Sequence, residues 1–419
     1  MGIKSSIRHN SLPALIYKVF CRVACRVVYT VAGLLPLQNR AVFVSVPDYA
    51  DNARVFCDYI NDDNRFGGID ITWFVSTADA EYAVKTDGFN VIRLRYGATG
   101  PKAAFVAARA KYVFFTHGLF PAYYKIPDGQ LVVNLWHGCG YKYVHPVNIP
   151  FSFALVPGKL FVDIKTRSFS CEREKVLPIG YPRYNLMLNP RVNAECVRRA
   201  MGLSLRGKLV LWLPTFRKSI RMEYAEGSIE GELGLPLLRS VDELIELDEK
   251  CAELGVCLVV KRHPSQVVYP IENFASKLSN VRFINQTDLA SADVDLYELF
   301  AASDALVSDY SSAAVDYLLL DKPIAYILDD LEGYRVMRGF CFDDVESYMP
   351  GAHVRKLADL TSFLSIVAEE DDPWKDERAK VTYLAHNPCE NYCERVVKQV
   401  LSSTPRVDNL KSISKEGLL

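Results

Sequence analysis

The chain has 419 residues, 50% of them hydrophobic and 24% charged, with a formal net charge of −1. Those values describe a globular protein with a sizeable core, about two domains long, and exclude a disordered, collagenous or disulfide-stapled chain. The near-neutral total also argues against a nucleic-acid binder, which would carry a basic excess. The total hides an asymmetry. Lys4, Arg8, Lys18, Arg22, Arg26 and Arg40 all precede the first acid, Asp48, so a basic front end of +6 stands before a body of −7.

Residues 12–37 are apolar but interrupted, and their longest uncharged segment, 27–39, has 13 residues, short of the ~20 that cross a bilayer. Lys18, Arg22 and Arg26 recur on one helical face, with Leu12, Leu15, Ile16, Val19, Phe20, Val23 and Val27 on the others. That pattern predicts an amphipathic helix suited to an anionic membrane surface. The alternative is a core helix with three solvated cations. Beyond Pro36 short β-branched runs alternate with helical stretches. Strands are expected at 41–46, 71–76, 91–94, 112–116, 131–135, 154–157 and 176–179, with helices at 53–60, 101–110 and 191–202. A second series follows, with strands at 209–213, 256–261, 281–284, 305–307 and 324–327 and helices at 241–254, 296–302 and 312–320. The tail, 373–401, reads as helical. Apolar runs without polar alternation mark strands covered on both faces, so the fold class is α/β, two Rossmann-like domains of doubly wound parallel sheet. The eleven cysteines, scattered without a CxxC pair, read as free thiols in a reducing compartment. No spacing suggests a metal site, and no cofactor is expected.

Ligands of open α/β sheets bind at the C-terminal ends of the strands, and polar residues gather there. The strand near 131–135 runs into Trp136-His137-Gly138, with Lys142 close behind. The others lead into Pro214-Thr215-Phe216-Arg217, Lys261-Arg262-His263-Pro264 and Ser308-Asp309-Tyr310-Ser311-Ser312. Singly these are a structural histidine, a helix cap and surface charges. Jointly, cations and a helix start in one half suit a diphosphate, and a histidine in the other suits a general base.

This set, with Gly180-Tyr181-Pro182-Arg183 and Asp316, resembles the CDP-glycerol glycerophosphotransferase family, the teichoic-acid and capsule polyol-phosphate transferases. Asp321-Lys322-Pro323-Ile324 through Asp329, Tyr334 and Arg338-Gly339, and the early Asp51-Asn52-Ala53-Arg54, are similar too. The resemblance spans roughly residues 12–400. It implies a GT-B-like pair of domains facing a cleft, preceded by a membrane-associating segment: residues 1–38 for that segment, 39–204 for the acceptor domain, 205–370 for the CDP-donor domain, and 371–419 for C-terminal helices that could pack back on the first half. It implies transfer of glycerol phosphate from CDP-glycerol, or ribitol phosphate from CDP-ribitol, to an undecaprenyl-diphosphate-linked acceptor on the cytoplasmic face of the cell membrane, releasing CMP. By the same carry-over His137 and His263 are the catalytic residues, His137 deprotonating the acceptor hydroxyl and His263 stabilising the donor pyrophosphate. Arg217, Lys261, Ser308, Asp309, Ser311 and Ser312 hold the donor, and Lys142, Arg183 and Asp316 are further candidates. His117 lies outside the resemblance and reads as a second acceptor-side base or as a structural histidine. A glycosyltransferase using a nucleotide sugar, or a non-catalytic membrane scaffold, would share much of this pattern. The sequence departs from the family at Cys139 and in the doubled charge of Lys261-Arg262, and residues 221–234 read as a variable loop.

Overall fold

The computed structural model describes residues 12–95, 98–119, 124–215, 233–261 and 277–401, with residues 12–18 and Arg22 described by their backbone alone. Two all-parallel sheets form the body. The first comprises β1 (Gln38–Val44), β2 (Asp70–Val75), β3 (Asn90–Arg93), β4 (Ala110–Phe115), β5 (Leu131–Asn134), β6 (Phe153–Leu155) and β7 (Val176–Leu177), in the order β3-β2-β1-β4-β5-β6-β7. The second comprises β8 (Lys208–Trp212), β9 (Val256–Lys261), β10 (Val281–Ile284), β11 (Ala305–Ser308), β12 (Ile324–Ile327) and β13 (Ala352–Val354), in the order β10-β9-β8-β11-β12-β13.

Both sheets therefore reverse direction between their first and fourth strands, and a crevice opens at each such reversal. The central strands are buried along nearly their whole length, as in β5 and β8, because helices cover both faces. Phe43 stacks on Trp73 and on Phe114 at centroid distances of 5.2 and 4.9 Å, which fixes the centre of the first core. In the second half the helix Val241–Leu254 is capped by Ser240, whose hydroxyl accepts from the Glu243 amide, and ends at left-handed Gly255. It buries Leu244, Leu247 and Cys251 against the sheet.

The N-terminal helix Leu12–Ala32 lies on the first half through Cys21, Cys25, Tyr29 and Ala32, all buried. Cys25 Sγ donates to the Thr99 carbonyl at 2.8 Å, and the Tyr29 hydroxyl to Gln130 Oε1 at 3.1 Å. Val19, Phe20, Val23, Val27 and Val31 of the same helix are exposed, Val23 to 67%. Among the described residues no helix is long and apolar enough to cross a membrane. At the other end the tail is interrupted at residues 386–391, giving the helices Lys375–Ala385 and Tyr392–Val396. Tyr59 donates to Glu394 Oε2 at 2.7 Å and the Tyr392 amide to Asn185 Oδ1 at 2.8 Å, so this segment binds the first half after the chain has completed the second.

Candidate active site

The chain leaves β5 through a strained turn. Trp136 is left-handed at φ 54° and Gly138 stands at φ 137°, a conformation that costs any residue with a Cβ. The Trp136 amide donates to Asn134 Oδ1 at 3.0 Å, and Asn52 Nδ2 donates to the Trp136 carbonyl at 2.8 Å. The turn is thus held from its own strand and from the helix Asp51–Asp62. His137 Nδ1 lies 3.0 Å from the Thr116 carbonyl oxygen. A carbonyl only accepts, so Nδ1 carries the hydrogen and Nε2 keeps a bare lone pair.

The imidazole is flanked by Trp136, at a centroid distance of 4.0 Å, and by His117, at 3.8 Å with the planes 8° apart. Lys165 Nζ, almost wholly buried, lies 4.4 Å from the Trp136 ring centroid. Burial pushes the His137 pKa well below the ordinary histidine value; the neighbouring His117 adds to this, the Thr116 bond opposes it, and Lys165 and Arg183 push the same way. His137 is therefore a neutral imidazole at pH 7.

A cleft of about 310 Å³ separates the two halves, lined by Gly138, Lys142, Thr215, Lys261, Ser312 and Arg338 among others. Its second wall is built on the β8–β11 reversal. Asp309, fully buried, accepts from the Thr215 amide at 2.8 Å and from the Thr215 hydroxyl, which pins the turn after β8. Ser308 is buried too, its hydroxyl directed at the Leu213 carbonyl at 3.5 Å. Both therefore brace the strand ends, whereas Ser311 and Ser312 reach the cleft. The Ser311 hydroxyl caps the helix Ser312–Tyr317, accepting from the Ala313 amide. Burial lowers the Lys261 pKa, against Asp295. The two walls nearly touch. A Cβ added to Gly138 would stand 2.7 Å from Ser312 Oγ, and one added to Gly140 2.8 Å from Ser312 Cα.

A buried ion-pair network crosses the same seam. Arg183 Nη1 bonds Asp51 Oδ1 at 2.7 Å and the His137 carbonyl at 3.1 Å, while Nη2 bonds Asp316 Oδ2 at 2.6 Å. Tyr184 and Tyr297 donate their hydroxyls to the two oxygens of Asp316, and the Arg183 amide donates to Asn52 Oδ1 at 3.1 Å. Asp51 and Asp316 hold the guanidinium well above its usual range despite burial. One arginine thus ties the turn that carries His137 to the helix that Ser311 caps.

Of the residues singled out in the sequence, His117, His137, Lys142, Arg183, Lys261, Ser311, Ser312 and Asp316 gather at or beside this seam, with Ser308 and Asp309 behind it. Arg217 and His263, with Arg262 and most of the loop near 221–234, lie outside the described residues. Lys165 and Tyr297 were not anticipated. Lys165 sits in an ordinary polar helical run, VDIKTRSF, and nothing in that run sets it apart from Arg167. The anchoring role of Thr116 was also missed, although it stands next to His117 at a strand end, where such a residue can be sought.

Two parallel sheets of reversed strand order, facing each other across a cation-lined cleft, define a GT-B-like fold. Residues 27–402 match the model of the CDP-Glycerol:Poly(glycerophosphate) glycerophosphotransferase family. The chain belongs to that family and is a transferase of its kind. It is 25% identical over 291 residues to a teichoic acid ribitol-phosphate primase of Bacillus spizizenii, covering 64% of this chain and 69% of the relative. It is 23% identical over 381 residues to a teichoic acid poly(glycerol phosphate) polymerase of the same organism, covering 84% and 87%. In fold it is similar to the wall teichoic acid polymerase TagF, with a TM-score of 0.65 and 18% identity over 95% of this chain and 97% of that one.

Proposed function

We propose that this chain moves glycerol phosphate from CDP-glycerol to a hydroxyl of a lipid-linked teichoic-acid or capsule-type acceptor, with release of CMP. The observation that carries the reading is His137, a neutral imidazole with Nδ1 held on the Thr116 carbonyl and Nε2 left to take a proton, one residue from a cleft lined by Lys142, Lys261 and Arg338. His137 Nε2 accepts the proton of the acceptor hydroxyl, the new O–P bond forms at the phosphorus that bears glycerol, and the bond from that phosphorus to CMP breaks. Positioning and charge neutralisation supply most of such a step. Lys261, Ser311 and Ser312 face the donor diphosphate, with Arg217 and His263 assigned beside them by the family pattern alone. Residues 39–204 form the acceptor half and 205–370 the donor half. CDP-ribitol is the second reading, favoured by the similarity to a ribitol-phosphate primase.

The exposed apolar face of the N-terminal helix, with Arg26 also exposed and six cations ahead of Asp48, supports docking on the anionic cytoplasmic leaflet, where a lipid-linked undecaprenyl acceptor resides. The test is incubation with lipid acceptor and CDP-glycerol, CDP-ribitol, UDP-sugar or GDP-sugar in turn. CMP release from a CDP-polyol supports the reading; turnover of a UDP- or GDP-sugar alone would replace it.

A further inference from the structure

His117 stands where the strand order of the first sheet reverses, at the end of β4, and it is exposed. Its ring lies parallel to that of His137 at 3.8 Å. The two imidazoles share one anchor residue. His137 Nδ1 bonds the Thr116 carbonyl, and His117 Nδ1 lies 2.9 Å from the Thr116 hydroxyl oxygen. That oxygen already accepts from the Val46 amide at 3.2 Å, and Thr116 is fully buried. Among the described residues the one acceptor within reach of the hydroxyl proton is His117 Nδ1. We infer that the hydroxyl donates to that nitrogen, since the buried hydroxyl proton would otherwise be left unpaired, which assigns the ring hydrogen of His117 to Nε2. With both Nδ1 edges on Thr116, the two Nε2 edges face away from it together, one a lone pair and one an N–H. The inner side of the ring, packed on His137, is partly desolvated, which lowers the His117 pKa, with Asp51 opposing; at pH 7, already above the ordinary histidine value, the neutral ring prevails.

We propose that His117 is an acceptor-binding residue, its Nε2–H bonding the hydroxyl adjacent to the one that His137 deprotonates, so that the stacked pair selects acceptors ending in a vicinal diol. The two complementary tautomers are arranged as two adjacent hydroxyls require: one loses its proton and the other is held by its oxygen. The assignment rests on the reading of His137 as the base.

The experiment compares the full acceptor with an analogue lacking the adjacent hydroxyl, in wild type, His117→Phe and His117→Gln. His117→Phe keeps the ring and the stack but has no donor, and His117→Gln restores an N–H near the Nε2 position. The wild type should lose about five- to tenfold in kcat/KM on the deoxy acceptor, the worth of one hydrogen bond. His117→Phe should lose as much on the full acceptor and nothing further on the deoxy one, and His117→Gln should recover most of the loss. Nitrogen-detected histidine spectra of the wild type should show His117 protonated at Nε2 and His137 at Nδ1. Equal losses on both acceptors in His117→Phe, or an Nδ1-protonated His117, would overturn the proposal while leaving the role of His137 intact. Absence of CMP release by the wild type from either CDP-polyol would remove the parent reading, and this one with it.

Discussion

His137 is useful because its surroundings hold one tautomer and one charge state. The Thr116 carbonyl orients the ring, and burial keeps it neutral. Replacement by Ala should cost transfer about 10²- to 10⁴-fold, the span of general-base assistance, in a protein whose circular dichroism shows the fold retained; full activity would remove His137 as the base. The pKa directions also set two pH dependences. The proposed role of His137 as base requires the neutral ring, so kcat/KM should fall only as pH drops through its depressed native pKa, and the acid limb should lie below 6.5. For stability, His137 and the buried His386 both have lowered values, desolvation being the largest cause. Below pH 6.5 the unfolded chain binds protons that the native state refuses. Each histidine should then cost about 1.4 kcal/mol per pH unit down to its native pKa. Denaturation midpoints measured between pH 7.5 and 5.5 check this, and a flat profile would contradict it.

The elements around the cleft are held by contacts that run across the seam. Asp316, fully buried, receives Arg183 and two tyrosine hydroxyls. Asp316→Asn leaves the guanidinium short of a charge in a dry site, and the expected loss is about 3–5 kcal/mol, read by chemical denaturation. Gly138→Ala adds a Cβ at φ 137° and 2.7 Å from Ser312 Oγ, so it should force the walls apart and lower activity far more than it lowers CDP binding. The strands were legible in the sequence because unbroken apolar runs such as 131–135 and 256–261 have one use in an α/β chain. The helices Ala78–Thr86 and Val162–Phe169 were not, because both are short and carry mixed polar faces. Strand β13, three residues long, offers no periodicity to read. The strand-end residues of the site were legible by type and place. Their partners were not: Arg183 and Asp316 are 133 positions apart, and only the packing of the two halves brings them together.

Across the whole molecule, the proposed function assigns the lipid-borne acceptor to the basic front end and the first half, and the soluble donor to the cleft. The N-terminal helix is bound to the body by Tyr29 and Cys25, so its removal would disturb the first half. Substitution of its exposed face is the cleaner test. Val23→Glu with Val27→Glu should release the protein from vesicles containing anionic lipid while leaving CDP affinity within about twofold; unchanged vesicle binding would take the membrane role from this face. Transfer of a polyol phosphate is read most directly from the intact mass of a lipid-linked acceptor after incubation with CDP-glycerol. The predicted result is a gain of whole glycerol-phosphate units, matched one for one by CMP and abolished in His137→Ala. An acceptor of unchanged mass with both CDP-glycerol and CDP-ribitol, or one extended from a nucleotide sugar instead, would contradict it.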